Sequence, residues 1–566
     1  MRIISCFLTT LAFFVSVTAL AAGFSSPTVL KHSLQQNLGL SPVHATLLPD
    51  GRVMFFGTTR LDGSSTSGDG FEAALTIPPN LMPFPATISL DLENAPLECS
   101  TPGVCVFNDG SGITVSISDI LFCSGHTLLE DGTLFTLSGT RYINYQLASG
   151  QTGIEISGMN YNMTYDAMSN IWSRVPGILV SEGSGPKLGS GRWYGTTTRL
   201  HDGRILITGG YDVVQQIFNN SPVPSSFELN ISTEIYDPAN GLRELISPVG
   251  ATPLAIFNPD YSHVFQLPWV ADSGQDIVVL GEDAKPVLMQ ADATVGGNFL
   301  EIDLPRPGPA KGGNGASTLM LPLRLNSPAW GYQAGAIMMA GGGSDSQLSS
   351  ADILDFGGGG WTRRIVLDTD RHHPTVTILP DGKLFLVGGH PSSTSPNPQN
   401  GLLIDPAQNF SVVPSGQIST TRGYHTVSLL LPDGRVLITG GRTGGPTDLA
   451  DEQPTMEIYS PPYLDAATRP VIDYVPDVIQ NQQAFPILYS NATTISEIVL
   501  IGLGSMTHSF DQNMRSVEVY AHNTEAGAVW GYNFFDNLST PPGVYMLFIL
   551  DENRIPSVAK IVQVTR

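Results

Sequence analysis

Short apolar runs along this chain are interrupted by an Asp-Gly pair and then resume as β-branched runs that close on glycine. The pattern reads LLPDGRVMFFG at 47–57, LLEDGTLFTLSG at 128–139, RLHDGRILITGG at 199–210, ILPDGKLFLVGG at 378–389 and LLPDGRVLITGG at 430–441. Two apolar runs joined by a turn that demands positive φ are what an antiparallel hairpin requires, so each copy predicts a pair of strands. Two degraded copies, DSGQDIVVLGE at 272–282 and YQAGAIMMAGGG at 332–343, fill the gap between the third and the fourth. Further strand-like runs follow several hairpins, among them Glu234-Ile235-Tyr236 and Glu457-Ile458-Tyr459.

Units of at least three strands, recurring at roughly 50–80 residues, are the pattern of propeller blades. The repetition stops near Tyr459, and after Pro461-Pro462 the chain turns to alternating runs such as GVYMLFILDE and SVAKIVQVTR. The expected class is therefore all-β, with a seven-bladed kelch-type β-propeller over 22–462 and an immunoglobulin-like β-sandwich over 463–566. Composition agrees, because 60 Gly and 42 Pro interrupt long helices while 41% hydrophobic residues supply a core.

Charge narrows the partners. With Lys+Arg 27 against Asp+Glu 50 the formal net charge is -23, which repels nucleic-acid phosphates and anionic lipid head groups, and no basic run offsets it. Nucleic acid is excluded as a partner. At the start, Arg2 precedes an apolar run that ends in Ala19-Leu20-Ala21, the pattern of a secretory signal peptide over 1–21. No other segment approaches the ~18 apolar residues that span a bilayer, so an exported monomer without stable membrane insertion is expected, in the periplasm, at the surface or in the medium. Cys6 would leave with the signal. Cys99 and Cys105 then enclose a short turn and are candidate disulfide partners, which leaves Cys123 as an odd thiol.

Aligning the hairpins on the turn glycine shows where chemistry could gather. Nine positions before Gly132, Gly203, Gly382 and Gly434 stand Cys123, Tyr194, His373 and His425, with Tyr424 just before the last. Rotation about a propeller axis relates equivalent positions, so thiol, phenol and imidazole converge at one mouth of the channel. Successive strand side chains face opposite ways, so Tyr424 and His425 share one ion only at a strand's frayed entrance. His nitrogens with Tyr oxygens suit a tetragonal Cu(II) site better than zinc or calcium. The plainer alternative is that these side chains simply pack.

FCSGH around Cys123, RWY at 192–194, RGYH at 422–425 and THSFDQNMRSVEV from Thr507 together resemble the copper radical oxidases, the glyoxal oxidase and galactose oxidase group, and most of all the glyoxal oxidase branch. The resemblance implies a thioether joining Cys123 to the Tyr194 ring, a redox cofactor made from the chain itself. It implies Tyr194, His425 and His508 as equatorial ligands of one copper, with Tyr424 as axial ligand and base. The implied reaction is oxidation of small aldehydes or primary alcohols by O2 to give H2O2. His126 departs from the family pattern, where glycine is commoner. Trp193 and Trp330 are candidates to cover the cross-linked tyrosine, and Arg371, His373 and Trp193 are candidate substrate contacts. No sugar-binding module fits between residue 22 and the first hairpin, which favours glyoxal- or methylglyoxal-like substrates over galactose. A galactose-type alcohol oxidase, or a non-catalytic kelch propeller that binds a protein or glycan, remains the alternative.

Overall fold

The computed structural model describes residues 23–24, 28–29, 40–56, 59–60, 75–77, 105–108, 114–146, 152–175, 191–218, 221–222, 228–230, 233–245, 260–271, 274–280, 287–290, 298–301, 315–342, 349–356, 360–391, 398–442, 453, 455–533 and 538–566. The expected signal peptide and Cys99 lie outside these residues, as does the Cys105 side chain.

Among the described residues there is no α-helix, only short 3-10 turns such as Ser327–Trp330 between strands. Each Asp-Gly pair makes the turn it predicts. In the clear copies the Asp carboxylate accepts the backbone N–H two residues on, as Asp50 does from Arg52 and Asp433 from Arg435, both at 3.0 Å. The glycine that follows takes the left-handed conformation, with φ of 82° at Gly51 and 88° at Gly434. An Asx turn plus a residue free of Cβ reverses the chain within two residues, which is why this dipeptide recurs.

Most hairpins grow into four-stranded antiparallel sheets. One runs Gly125–Leu128, Leu134–Leu137, Asn162–Asp166, Ile171–Val175, and the next runs Thr196–Arg199, Ile205–Thr208, Thr233–Asp237, Gly241–Leu245. Sheets of the same order begin at His263–Ala271, Ala316–Met320 and His372–Ile378. Two sheets are completed by distant chain. Thr455–Ser460 ends one by pairing with Gly23–Phe24 and Thr28–Val29. His44–Leu47 heads the other and pairs on its free edge with Ser505–Thr507. The first strands of successive sheets lie side by side, Gly125–Leu128 against Thr196–Arg199 and His372–Ile378 against Thr426–Leu430, so their starts gather at one end.

A buried arginine fastens that end in three sheets. Arg192, Arg371 and Arg422 each donate through Nη1 to the glycine closing the hairpin, Gly209, Gly388 and Gly440, at 2.7, 2.8 and 2.7 Å. Carboxylates balance them: Glu234, Asp368 and Glu457 lie 3.3, 2.9 and 3.2 Å from the guanidinium. The paired glycine has a packing reason, since a Cβ at Gly441 would stand 2.9 Å from that of Arg422.

The remaining strands form a sandwich. Val471–Tyr474, Ala484–Ser490 and Ala528–Tyr532 follow one part of Ser516–Glu525, while Ile495–Gly502, Gly543–Asp551, Lys560–Thr565 and Val478–Gln480 follow the other. Ile487, Ile498, Val519, Val529 and Leu547 fill the space between the layers. Opposite residues of the same strands, Val499, Ile501, Met546 and Phe548, pack against Leu47, Phe55 and Leu437 of the repeated sheets.

Candidate metal centre

The aligned positions share a backbone conformation that the spacing did not reveal. Cys123, Tyr194, His373 and His425 all have positive φ, of 61°, 68°, 56° and 72°. Non-glycine residues rarely adopt this region, and it costs of order 1–3 kcal/mol each, so its recurrence marks a fixed feature of the rim. At Cys123, Tyr194 and His425 the strand has not yet begun, alternation is suspended, and neighbouring side chains can point the same way. Tyr424 and His425 accordingly both face the site, with ring centroids 4.1 Å apart.

Backbone bonds lace the rim together. Tyr194 N donates to Cys123 O at 2.9 Å, and Tyr261 N donates to Tyr194 O at 2.9 Å. His508 comes from the other side, in the reversal between Ser505–Thr507 and Phe510–Asp511. Its own φ of 45° and the pairing of Thr507 with His44 set its direction.

Five residues meet at this point. The Tyr194 and Tyr424 hydroxyls are in hydrogen-bond contact. The His508 ring centroid lies 4.6 Å from that of His425, 4.8 Å from Tyr194 and 5.1 Å from Tyr424. Cys123 is a free, fully buried thiol within hydrogen-bond reach of the Tyr194 hydroxyl, and its N–H donates to His44 Nε2 at 3.0 Å. Burial, first of all, pushes the Cys123 thiol and both phenols well above their ordinary values and His508 well below its own. The pocket therefore presents a neutral His508 imidazole and neutral phenols. Both phenols keep an edge open to a cavity of about 390 Å³ lined also by Asp260, Tyr261, His373 and His390.

The donor set fits a copper ion. His508 Nδ1 lies 2.6 Å from Thr507 Oγ1, which leaves Nε2 buried and without a hydrogen-bond partner. An orphaned imidazole nitrogen facing a second imidazole and two phenols is a costly arrangement that a cation relieves. Two nitrogens and two oxygens match Cu(II) preference.

Other expectations resolve differently. Arg371 is not a substrate contact: it is wholly buried, and its guanidinium is held by Gly388 O, Asn400 O and Asp368. Trp193 covers the Tyr194 ring, stacked at 3.8 Å and 12°, with Nε1 donating to Thr140 Oγ1. It is not among the cavity lining residues. Trp330 lies elsewhere, between Arg324 and Arg554. His373 lines the cavity beside Tyr424, at 4.9 Å. His126 is buried behind Cys123 with Nδ1 on Ser505 Oγ.

Tyr261 escaped the sequence alignment. It has a φ of 51°, lies tilted against the Tyr194 ring at 4.8 Å and precedes its strand by two residues, as Cys123 and Tyr194 precede theirs. Counting nine back from Gly274 lands on Phe265 instead, because the register slips between Gln266 and Val270. Counting forward to the strand start would have found it.

Known proteins resemble this chain over most of its length. The galactose oxidase-like early set domain matches residues 469–564. Aldehyde oxidase GLOX1 of Arabidopsis thaliana is 23% identical over 94% of this chain and 83% of its own length. Galactose oxidase of Gibberella zeae is 26% identical over 71% of this chain, and the match spans 57% of that protein. A solved fungal alcohol oxidase of the AA5 family, in complex with copper, shares the fold with a TM-score of 0.67 at 19% identity, covering 97% of this chain and 100% of that one.

Proposed function

This chain belongs to the copper radical oxidase family, and on that premise we propose that it oxidises small aldehydes, of the glyoxal or methylglyoxal kind, or short primary alcohols, with O2 as acceptor and H2O2 as co-product. One observation carries the reading: a free thiol, two touching phenols and two imidazoles converge beside an open cavity. Tyr194, Tyr424, His425 and His508 would hold the copper. Bound there, copper supplies a one-electron acceptor and lowers the pKa of a coordinated hydroxyl.

The chain's own groups do the rest. Cys123 joins the Tyr194 ring when the thiol S–H and a ring C–H give way to an S–C bond, the two hydrogens leaving with O2 as H2O2. Tyr424, neutral in the metal-free site, would be a phenolate with copper bound, and its oxygen would then accept the proton of the substrate hydroxyl. Tyr194, oxidised by one electron, takes a hydrogen atom from the substrate carbon. Trp193, stacked on that ring, keeps water from it. Overall, an aldehyde hydrate plus O2 gives a carboxylic acid plus H2O2, and a primary alcohol gives the aldehyde.

The substrate preference rests on the small cavity and on the match to an aldehyde oxidase over most of both chains. A carbohydrate primary-alcohol oxidase is the second reading, favoured by the 26% identity to galactose oxidase. Export to the outside of the cell is part of the same proposal. Copper loading followed by one-electron oxidation tests the chemistry. The Cu(II) EPR signal should vanish as the metal and Tyr194 radical spins couple, with new visible absorption. A persistent Cu(II) signal without a radical band contradicts the proposal. Peroxide release across aldehydes and galactose on the same preparation separates the two substrates.

A further inference from the structure

A second group of imidazoles lines the same cavity on the far side of Tyr424. His372 and His390 are directly opposed partners in the pairing of His372–Ile378 with Leu384–His390, so their side chains leave the same face of the sheet. His373 ought to face the other way, but its φ of 56° suspends the alternation and brings its ring beside both, at 4.8 Å from His372 and 5.4 Å from His390. One nitrogen from each of the three lies within 4.8 Å of the others.

From this geometry we infer that His372, His373 and His390 form a second metal site, separate from the copper centre, which takes a divalent ion such as zinc. Three imidazoles with a fourth position open to a cavity are a zinc ligand set. Tetrahedral zinc at its usual bond length needs nitrogens ~3.3 Å apart. His372 Nδ1 and His373 Nδ1 already stand at 3.2 Å, and His390, whose nitrogen lies within 4.8 Å of the others, would have to rotate inward to complete the set.

Independent features point the same way. His390 Nδ1 is buried and makes no hydrogen bond, an unsatisfied group of the kind that an ion satisfies. Glycine keeps the cluster uncovered on two sides: a Cβ at Gly315 would fall 2.4 Å from His372 Nδ1, and one at Gly423 would fall 2.8 Å from His390 Nδ1. This site does not depend on the redox reading, since none of its residues belongs to the proposed copper set.

Equilibrium dialysis of copper-loaded protein against Zn(II), with metal content by mass spectrometry and the Cu(II) EPR signal read on the same samples, tests it. The expected result is one zinc per chain bound with copper retained. His372→Asn and His390→Asn should each weaken zinc by more than ~100-fold, beyond the 10–100-fold of losing an outer hydrogen bond to a ligand, with copper EPR unchanged. No added zinc, zinc gained only as copper is lost, or zinc that both variants retain would each overturn the assignment. Failure to form a radical would count against the proposed oxidase and leave the zinc result to stand by itself.

Discussion

Tyr194 and His425 reach the centre from the repeated sheets, whereas His508 reaches it from the sandwich side of the molecule. The first two stand at the same place in hairpins of one design, each two or three residues after a buried arginine that fastens the rim. His508 stands in no repeat. It is delivered because Ser505–Thr507 adds itself to the edge of His44–Leu47 and because Asp511 accepts the Ser505 and Asn513 N–H groups, at 2.8 and 3.0 Å. Repetition can place several ligands with one solution of the folding problem. A ligand from outside the repeat needs its own scaffold, and its position depends on the seam between the two regions.

That seam should be acid-sensitive. His126 sits on it, bonded to Ser505 and Thr46, and burial lowers its pKa to about 3. A histidine depressed in the folded state is protonated first in the unfolded chain. Its contribution is complete above pH ~6.5 and is lost as pH falls toward ~3, on the order of 4–5 kcal/mol in all. Chemical denaturation from pH 7 to 4 should show His126→Gln losing less stability with acid than the parent. Equal slopes would put the sensitivity elsewhere.

The repeat side should fail by a different route. Arg422→Met leaves Glu457 buried without its cation, which costs about 3–5 kcal/mol of unfolding free energy independent of copper. Arg371→Lys should likewise lower Tm and leave KM untouched, because Arg371 holds backbone rather than substrate. A raised KM with unchanged Tm would restore it as a substrate contact.

His508→Ala should do the reverse, with copper affinity down by more than ~100-fold, above the range for outer-shell partners, and Tm of the metal-free protein little changed. Calorimetric copper titration beside a melt distinguishes the two kinds of residue. The smallest effect is expected at Trp193, where Trp193→Leu removes an aromatic contact worth about 0.5–1.5 kcal/mol. Turnover should fall by roughly 2–12-fold with a shift in the oxidised absorption band.

How far the sequence anticipates all this follows the same division. The Asp-Gly hairpins, the all-β class and the gathering of Cys123, Tyr194 and His425 are legible because a repeated turn provides a ruler. The ruler fails where a strand gains residues, which hid Tyr261, and it says nothing of long-range edge pairing, which is why resemblance rather than spacing pointed to His508. Arg371 misled for a related reason: judged alone, an arginine beside histidines suggests anion or substrate binding, while the same residue at Arg192 and Arg422 marks a fastening of the hairpin. The opposed pair His372 and His390 is eighteen positions apart in sequence and becomes adjacent only through strand register.

Cys123 and Tyr194 should become one redox group, which peptide mapping of the copper-matured, active protein can detect. The expected result is a single branched peptide carrying both residues, lighter by two hydrogens than the sum of the separate peptides, and absent from Cys123→Ser, which folds but does not turn over. Separate, unmodified Cys123 and Tyr194 peptides from fully active protein would contradict it.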